Sequence, residues 1–362
     1  MLKHILSGRF NAGTFRDGNT AHLPSKFTVK QVSTAKNLPD AWDTAADVYF
    51  QQREFLIHSE QYNPCDLRYY LLYERDTLNA GVIIFTQTIN LLTFCKNIPS
   101  PIKIHFIGPP ASVSCPGTIG SPAGIDRLIR HIYKKERGVI LAVNTPPGHY
   151  VGKAIPMTYL PTITMRHNFK SWDEYYTALR SDYRRRVNKI ILTFEGIRVS
   201  QSSCSEFTRE MHDLYLAVLN RTKTKLETLS FDFFKHLPPD FILTAFTHNE
   251  KILAWNITLK DKDVFYFFFG GHDDTLNGKY NAYLNSLIHM LRRSFDLGAA
   301  YIDLGQTAEI AKARMGGEPV EKGMFVYHKS RLLRHLFYMA RNLLSYKRHI
   351  PAANVFKRNT HK

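Results

Sequence analysis

Residues 264 to 328 constrain the fold of this chain more than any other stretch. Val264 to Phe269 is an unbroken apolar run with five aromatic rings in six positions. Strand alternation puts Phe265, Phe267 and Phe269 on one face and Tyr266 and Phe268 on the other. Both faces must therefore be covered, as in the middle of a sheet flanked by helices. A Gly-bearing loop (Gly270 to Lys279) follows, then a helical apolar stripe from Tyr280 to Leu297, a strand at Tyr301 to Leu304, a short helix around Lys312 and a last strand at Met324 to His328. This order predicts an α/β unit with mixed sheets (α+β in character) and a loop at a strand's C-terminal end, where ligands are commonly met.

The upstream pattern supports a second unit. Residues 1 to 35 have no sustained period and read as an N-terminal arm. From 36 to 158 come helical patterns at Leu38 to Tyr62, strand-like runs at Leu67 to Tyr73, Gly81 to Phe94 and Ile102 to Ile107, and a helix at Ile125 to Arg137. Gly108 to Pro122 and Thr145 to Gly148 are rich in Pro, Gly, Ser and Thr and read as turns. The next unit, 159 to 329, opens with Ser171-Trp172-Asp173-Glu174, a capping box that starts a helix running toward Phe194. Its apolar face is Tyr175, Leu179, Tyr183, Val187 and Ile190. A helix at Ser205 to Asn220, aromatic segments at Phe231 to Phe234 and strands at Phe241 to Phe246 and Lys251 to Leu259 complete it. No sequence repeat links the two units.

Composition excludes several classes. With 362 residues, 44% hydrophobic and 22% charged, the chain suits two folded domains rather than a disordered one. Cys65, Cys95, Cys115 and Cys204 stand far apart, which argues against a zinc site or a disulfide framework and fits a reducing cytosol. Met1 to Phe10 lacks the apolar segment of a signal peptide. The apolar run Gly81 to Phe94 is interrupted by Gln87 and Asn90 and falls short of the ~20 residues that cross a bilayer. P-loop, Gly-x-Ser-x-Gly and His-Glu-x-x-His patterns are absent, so a hydrolase or NTPase would lack its usual parts.

The net charge of +17 is concentrated at one end. Lys322 to Lys362 holds ten Lys or Arg and no acid. Within 330 to 362, Leu333, Leu336, Phe337, Ala340, Leu343 and Leu344 follow helical spacing among Arg331, Arg334, Arg341, Lys347 and Arg348. Two placements suit such a basic amphipathic helix: docked on the second unit with its basic face in water, or peripheral on an anionic inner membrane surface.

Three pieces together carry a family resemblance: the aromatic strand ending in Gly270-Gly271, the helix bearing Tyr280, Tyr283 and Leu284, and Tyr301-Ile302-Asp303-Leu304-Gly305-Gln306 followed by Lys312-Ala313-Arg314-Met315-Gly316. Their order resembles the C-terminal half of the GNAT acyltransferase superfamily, in its FemAB-like branch of large two-unit N-acyltransferases. The resemblance implies two tandem GNAT-like units and transfer of an acyl group from acyl-CoA, acetyl-CoA first, to an amine acceptor, without a metal. Within the branch, an aminoacyl-tRNA donor and a cell-wall-precursor acceptor are the alternative. A protein that kept the fold, lost its chemistry and binds membrane or nucleic acid is the other alternative.

The resemblance also places roles. Gly270, Gly271 and Gly278 would let backbone approach the cofactor; as plain turn glycines they need no ligand. Lys312 and Arg314 would meet phosphate or carboxylate, or form a solvated basic face. Tyr280 would protonate the leaving group or orient the amine; its helical stripe also suits a core tyrosine. Asp303 and Gln306 would face the acceptor amine, or Asp303 would cap the helix after it. Tyr183-Arg184-Arg185-Arg186 resembles an Arg-containing helix of this branch, in which Arg184 would contact substrate; as a plain charge run it forms a solvated face. The Gln/Arg-x-x-Gly-x-Gly/Ala phosphate loop typical of GNAT enzymes is missing from Gly270 to Lys279.

Overall fold

The computed structural model describes residues 27–63, 65–90, 101–221 and 227–357. Most of the expected N-terminal arm, Leu91 to Phe94 of the long apolar run and Cys95 lie outside the described residues. In chain order the strands are β1 (Phe27–Val32), β2 (Arg68–Glu74), β3 (Thr77–Asn90), β4 (Pro101–Ile107), β5 (Thr118–Gly120), β6 (Val139–Thr145), β7 (Ile155–Arg166), β8 (Arg198–Ser203), β9 (Phe241–His248), β10 (Lys251–Asp261), β11 (Val264–His272), β12 (Tyr301–Asp303) and β13 (Glu318–Tyr327). The helices are α1 (Asp40–Ala45), α2 (Arg53–Tyr62), α3 (Pro122–Lys135), α4 (Trp172–Ala178), α5 (Ser181–Leu192), α6 (Arg209–Asn220), α7 (Phe231–Lys235), α8 (Asp274–Tyr280), α9 (Ala282–Asp296), α10 (Glu309–Ala313) and α11 (Arg331–Leu344).

All strands belong to one mixed sheet in the order β1-β2-β3-β4-β6-β13-β7-β12-β11-β10-β9-β8, with β5 beside β3. Its two halves repeat. Each has antiparallel strands leading to a parallel pair, β4 with β6 and β11 with β12, joined through a crossover helix, α3 and α9. The strand that follows each parallel pair leaves its own half: β7 pairs with β12 of the second, and β13 pairs with β6 of the first. β7 and β13 also pair with each other from Glu318↔Thr164 to Val326↔Ile155. The units are thus tandem GNAT-like repeats tied by exchanged strands, and Tyr159, the expected start of the second unit, lies inside β7.

Packing explains why the aromatic strand is central. Phe265 and Phe267 face a core with α4, α5 and α9, through Tyr175, Val187, Ile190, Leu287 and Leu291. Tyr266 faces the opposite core with α6 and α7, through Met211, Tyr215, Phe233 and Phe234. Each fully buried ring contributes roughly 1.5–3 kcal/mol from area removed from water. Phe269 departs from the simple alternation. The β10–β11 register runs Ile257↔Phe269 and then Thr258↔Phe267, so Phe268 is an extra, bulged residue. Phe268 and Phe269 consequently both pack on the α6–α7 side.

Two helices also differ from the expectation. Ser171 does cap α4, its Oγ accepting from the Glu174 N–H at 3.2 Å, while the Glu174 carboxylate accepts from Lys170 N–H. The helix then stops at Leu179, whose extended backbone pairs with Phe356, and restarts at Ser181. Second, β11 continues through Gly270 and Gly271, and Asp274–Tyr280 is helical where a loop was expected.

Candidate functional site

The parallel pair of the second unit splays. β11 and β12 are in register only at Val264↔Tyr301, Phe265↔Ile302 and Tyr266↔Asp303. Beyond that point β11 follows β10 as far as Ala254↔His272, while Leu304 and Gly305 stay hydrogen-bonded to Ile163 of β7. The edge of β11 from Phe267 to His272 therefore has no β12 partner, and a groove opens with Asp303 at its apex. Strand N–H groups left without a strand partner at such an edge are available to donate to a ligand.

Asp303 is held from both sides. Its Oδ1 accepts from Gly305 N–H at 2.7 Å, and its Oδ2 accepts from the Ser114 hydroxyl at 2.9 Å, across from the first unit. Burial pushes its carboxyl above the usual range, while these two hydrogen bonds and the charges of Lys322 and Lys312 pull it back. The next residues form a left-handed loop: Gly305, Thr307 and Ala308 have φ of 73°, 65° and 48°. Positive φ at a β-branched Thr costs energy that surrounding contacts must offset. Gln306 supplies such contacts, its amide N–H groups donating to Asn144 Oδ1 at 2.9 Å and Leu160 O at 2.8 Å. Its amide donors thus tie the two units together.

Lys312, on α10, is 2% exposed. Its ammonium donates to Gln306 O at 2.9 Å and lies 5.5 Å from the centroid of the Phe267 ring, bridging the two walls of the groove. Burial lowers its pKa from 10.5 to about 8, against the opposing pull of Asp303 and Glu309. Glu309 is itself buried and accepts from the Tyr346 hydroxyl at 3.0 Å and Arg348 at 3.1 Å, so the segment after α11 straps across α10.

The other expected residues lie elsewhere. Tyr280 ends α8 and packs against Phe246, Leu253 and Ala254, with His248 5.2 Å away, over β9 and β10 rather than the groove. The reason is Asn281, whose left-handed backbone (φ 46°, ψ 41°) breaks the helix between Tyr280 and Tyr283. Tyr283 is the phenol on the groove side: it packs into the α4–α5–α9 core, lies 5.5 Å from His272 and feels the charge of Glu309. Burial raises its pKa. Gly270 and Gly271 serve packing, since a Cβ would stand 3.0 Å from Trp255 O at the first and 2.5 Å from Trp255 Nε1 at the second. Gly278 has open space around it.

Arg314 is exposed at the end of α10, and its neighbour is Arg186. Burial and then the Arg314 charge lower the Arg186 pKa. Arg184 is half-buried on α5, and its backbone closes the first turn. Of the adjacent arginines the structure thus pairs Arg186, not Arg184, with the basic end of α10. The N-terminus of α8 is occupied by Asp273, whose Oδ1 accepts from Thr275 and Leu276 N–H at 2.8 and 3.2 Å and whose Oδ2 pairs with Lys251 at 2.8 Å. Although burial works against its charge, these bonds hold its carboxyl at about 2. Among the described residues there is no group of three metal-ligating side chains.

A second carboxylate faces the first unit. Glu227 accepts from the Asn63 amide and the Ser112 hydroxyl, both at 3.0 Å, and burial raises its pKa against those bonds. The loop Gly108 to Gly117 is thereby fixed at Ser112 by Glu227 and at Ser114 by Asp303. Sequence patterns could flag that loop only as turn-rich, because both partners come from segments more than a hundred residues away.

The sequence profile of the family described as Acetyltransferase (GNAT) domain matches residues 177–313, which hold the whole β11–α9–β12–α10 groove. That stretch thus resembles a GNAT acetyltransferase domain, which supports a transferase. The fold of the chain is FemAB-like: the crystal structure of FemX superposes with a TM-score of 0.54 at 11% identity, covering 85% of this chain and 100% of that one. A tandem GNAT protein from the clavulanic acid biosynthesis pathway gives 0.49 at 9% identity, over 83% and 98% of the two chains. The C-terminal domain of a putative lysylphosphatidylglycerol synthetase from Agrobacterium fabrum gives 0.46 at 10%, over 86% and 99%. No curated protein sequence matches the chain. Acyl transfer is the chemistry that the description of the matched domain names.

Proposed function

We propose that this protein transfers an acyl group from an acyl-CoA thioester, acetyl-CoA being the simplest, to an amine acceptor. The observation that carries the reading is the unpaired edge of β11 beyond Tyr266, with Lys312 and Asp303 where the strands part. The thioester would lie along that edge, its carbonyl oxygen receiving strand N–H groups and the Lys312 ammonium. The neutral amine attacks the carbonyl carbon and forms a C–N bond. The tetrahedral oxyanion then collapses, breaking the C–S bond. Asp303 takes the proton lost by nitrogen, a role suited to a carboxyl whose pKa burial has raised. Tyr283 would return a proton to the thiolate. Phosphates of the donor would meet Arg186 and Arg314.

One observation favours a second reading, an aminoacyl-tRNA donor. The α8 N-terminus, which follows β11 and would face a pyrophosphate, already holds the Asp273 carboxylate. A bare ester on a 3′ end needs no such cradle. The surplus of basic residues suits RNA as well as CoA.

The test is thermal unfolding with acetyl-CoA, a longer acyl-CoA, and bulk tRNA at two salt concentrations. Acyl-CoA should raise the midpoint, and Lys312→Ala should remove the rise. No shift with any thioester beside a salt-sensitive shift with tRNA would replace the first reading with the second.

A further inference from the structure

Helix α11 turns its apolar side outward. Leu332, Leu336, Met339 and Leu343 recur at helical spacing and are 68%, 52%, 68% and 83% exposed. The helix touches the protein through the opposite side, where Phe337 packs on Ile155, Met157, Met324 and Val326 of β7 and β13. That contact inverts the expectation of a helix docked by its apolar stripe with its basic side in water. Four large aliphatic side chains left in water along one line mark a surface that something else covers.

We infer that this stripe lies in the interfacial region of an anionic lipid bilayer. The charges around it select that occupant. At 100° per residue Arg331 and His335 lie along one edge of the stripe, Lys329 precedes the helix, and Lys347 and His349 follow it, with no acid from Lys322 to Lys362. Leucines that sink among acyl chains, with long cations reaching back to phosphates, are what an in-plane helix needs. A second copy would set basic flank against basic flank. Residues 1–26 cannot supply the missing charge, because they hold Lys3, Arg9, Arg16 and Lys26 against Asp17 alone. No described helix is long and apolar enough to cross a membrane, so the contact would be peripheral and reversible.

The experiment is flotation of the full chain with vesicles of phosphatidylcholine alone and with about one third phosphatidylglycerol, where each nearby cation adds attraction. Binding to the anionic vesicles only, weakened at least about tenfold in Leu336→Ser/Met339→Ser, is the expected result. Both replaced side chains are already exposed, so an unchanged melting midpoint shows that the loss is not unfolding. Wild-type binding that the double variant retains overturns the inference. So does absence of flotation, whether the chain is monomeric, as for a stripe covered by an acidic protein, or a dimer that the double variant splits.

Discussion

The two parallel strand pairs share a topology and differ in what fills the gap beyond them. In the first unit β4 and β6 pair from Ile104↔Val139 to Ile107↔Ala142, and the chain past Ile107 then folds back into the space. Gly108 donates to Ile83 O, Ile83 donates to Gly117 O, and Asn144 Nδ2 reaches Val113 O at 2.9 Å. In the second unit no loop backbone fills the same place, which carries the side chains of Asp303, Lys312 and Tyr283. The repeat therefore yields one plugged unit and one with a groove, and the plug supplies Ser114 to the groove of its partner. On the proposed reading one scaffold serves once for support and once for chemistry, which a tandem fold permits because exchanged strands tie the halves together.

Removing the charge that bridges the groove should separate the halves most sharply. Lys312→Met is expected to lower kcat by about 10²–10³, the scale of losing one oxyanion donor, in a steady-state transfer assay. The same variant has a pH signature. A lysine whose folded pKa is about 8 against 10.5 leaves the folded chain holding fewer protons than the unfolded one between those values. Wild-type stability should therefore rise relative to Lys312→Met as pH climbs from 8 to 10.5 in urea titrations. A flat difference across that window would show that Lys312 is not desolvated as described.

The plug can be broken from the other side. At Gly117 a Cβ would stand 2.3 Å from Gly108 N and 2.9 Å from Ile107 C, both backbone atoms with no freedom to move aside. Gly117→Ala should cost about 1–3 kcal/mol of unfolding free energy in the same titrations, the range of over-packed cores. An unchanged midpoint would mean that the loop does not fill the gap of the first unit.

The phenols sharpen the comparison within the second unit. Tyr283→Phe should lower kcat roughly tenfold, and Tyr280→Phe by less than about twofold, because only the first lies on the groove side. The reverse order would restore the role that the family resemblance implies for Tyr280.

What was legible in the sequence follows from which interactions are local. The order of strand, helix and strand from Val264 to Tyr327, the Ser171 cap and the basic tail helix all rest on neighbours within a few residues. The bulge at Phe268, the break at Asn281 and the exchange of β7 with β13 do not. Phe268 bulges against a register set by β10. Asn281 is an ordinary polar residue until its backbone turns left-handed. β7 and β13 have the same apolar alternation whichever half they join. Of the residues where β11 and β12 part, Asp303, Gln306 and Lys312 stand out in the sequence because they sit beside a strand end, although the amide of Gln306 is engaged by Asn144 and Leu160. Tyr283, Ser114 and Arg186 depend on tertiary placement.

Gly278 gives the smallest effect and a useful one. It lies inside α8 with no heavy atom within 4 Å of an added Cβ and without a positive φ. Ala there should add about 0.5–1 kcal/mol of stability, since Gly in a helix gives up more backbone entropy on folding. A site where donor backbone must approach would behave differently: the methyl would intrude, and the donor Kd would rise. Titration calorimetry of Gly278→Ala with the donor decides between them. An unchanged Kd beside a raised melting midpoint assigns the donor to the β11 edge alone, whereas a rise of about tenfold, some 1.4 kcal/mol, would bring α8 into the site despite its Asp273 cap.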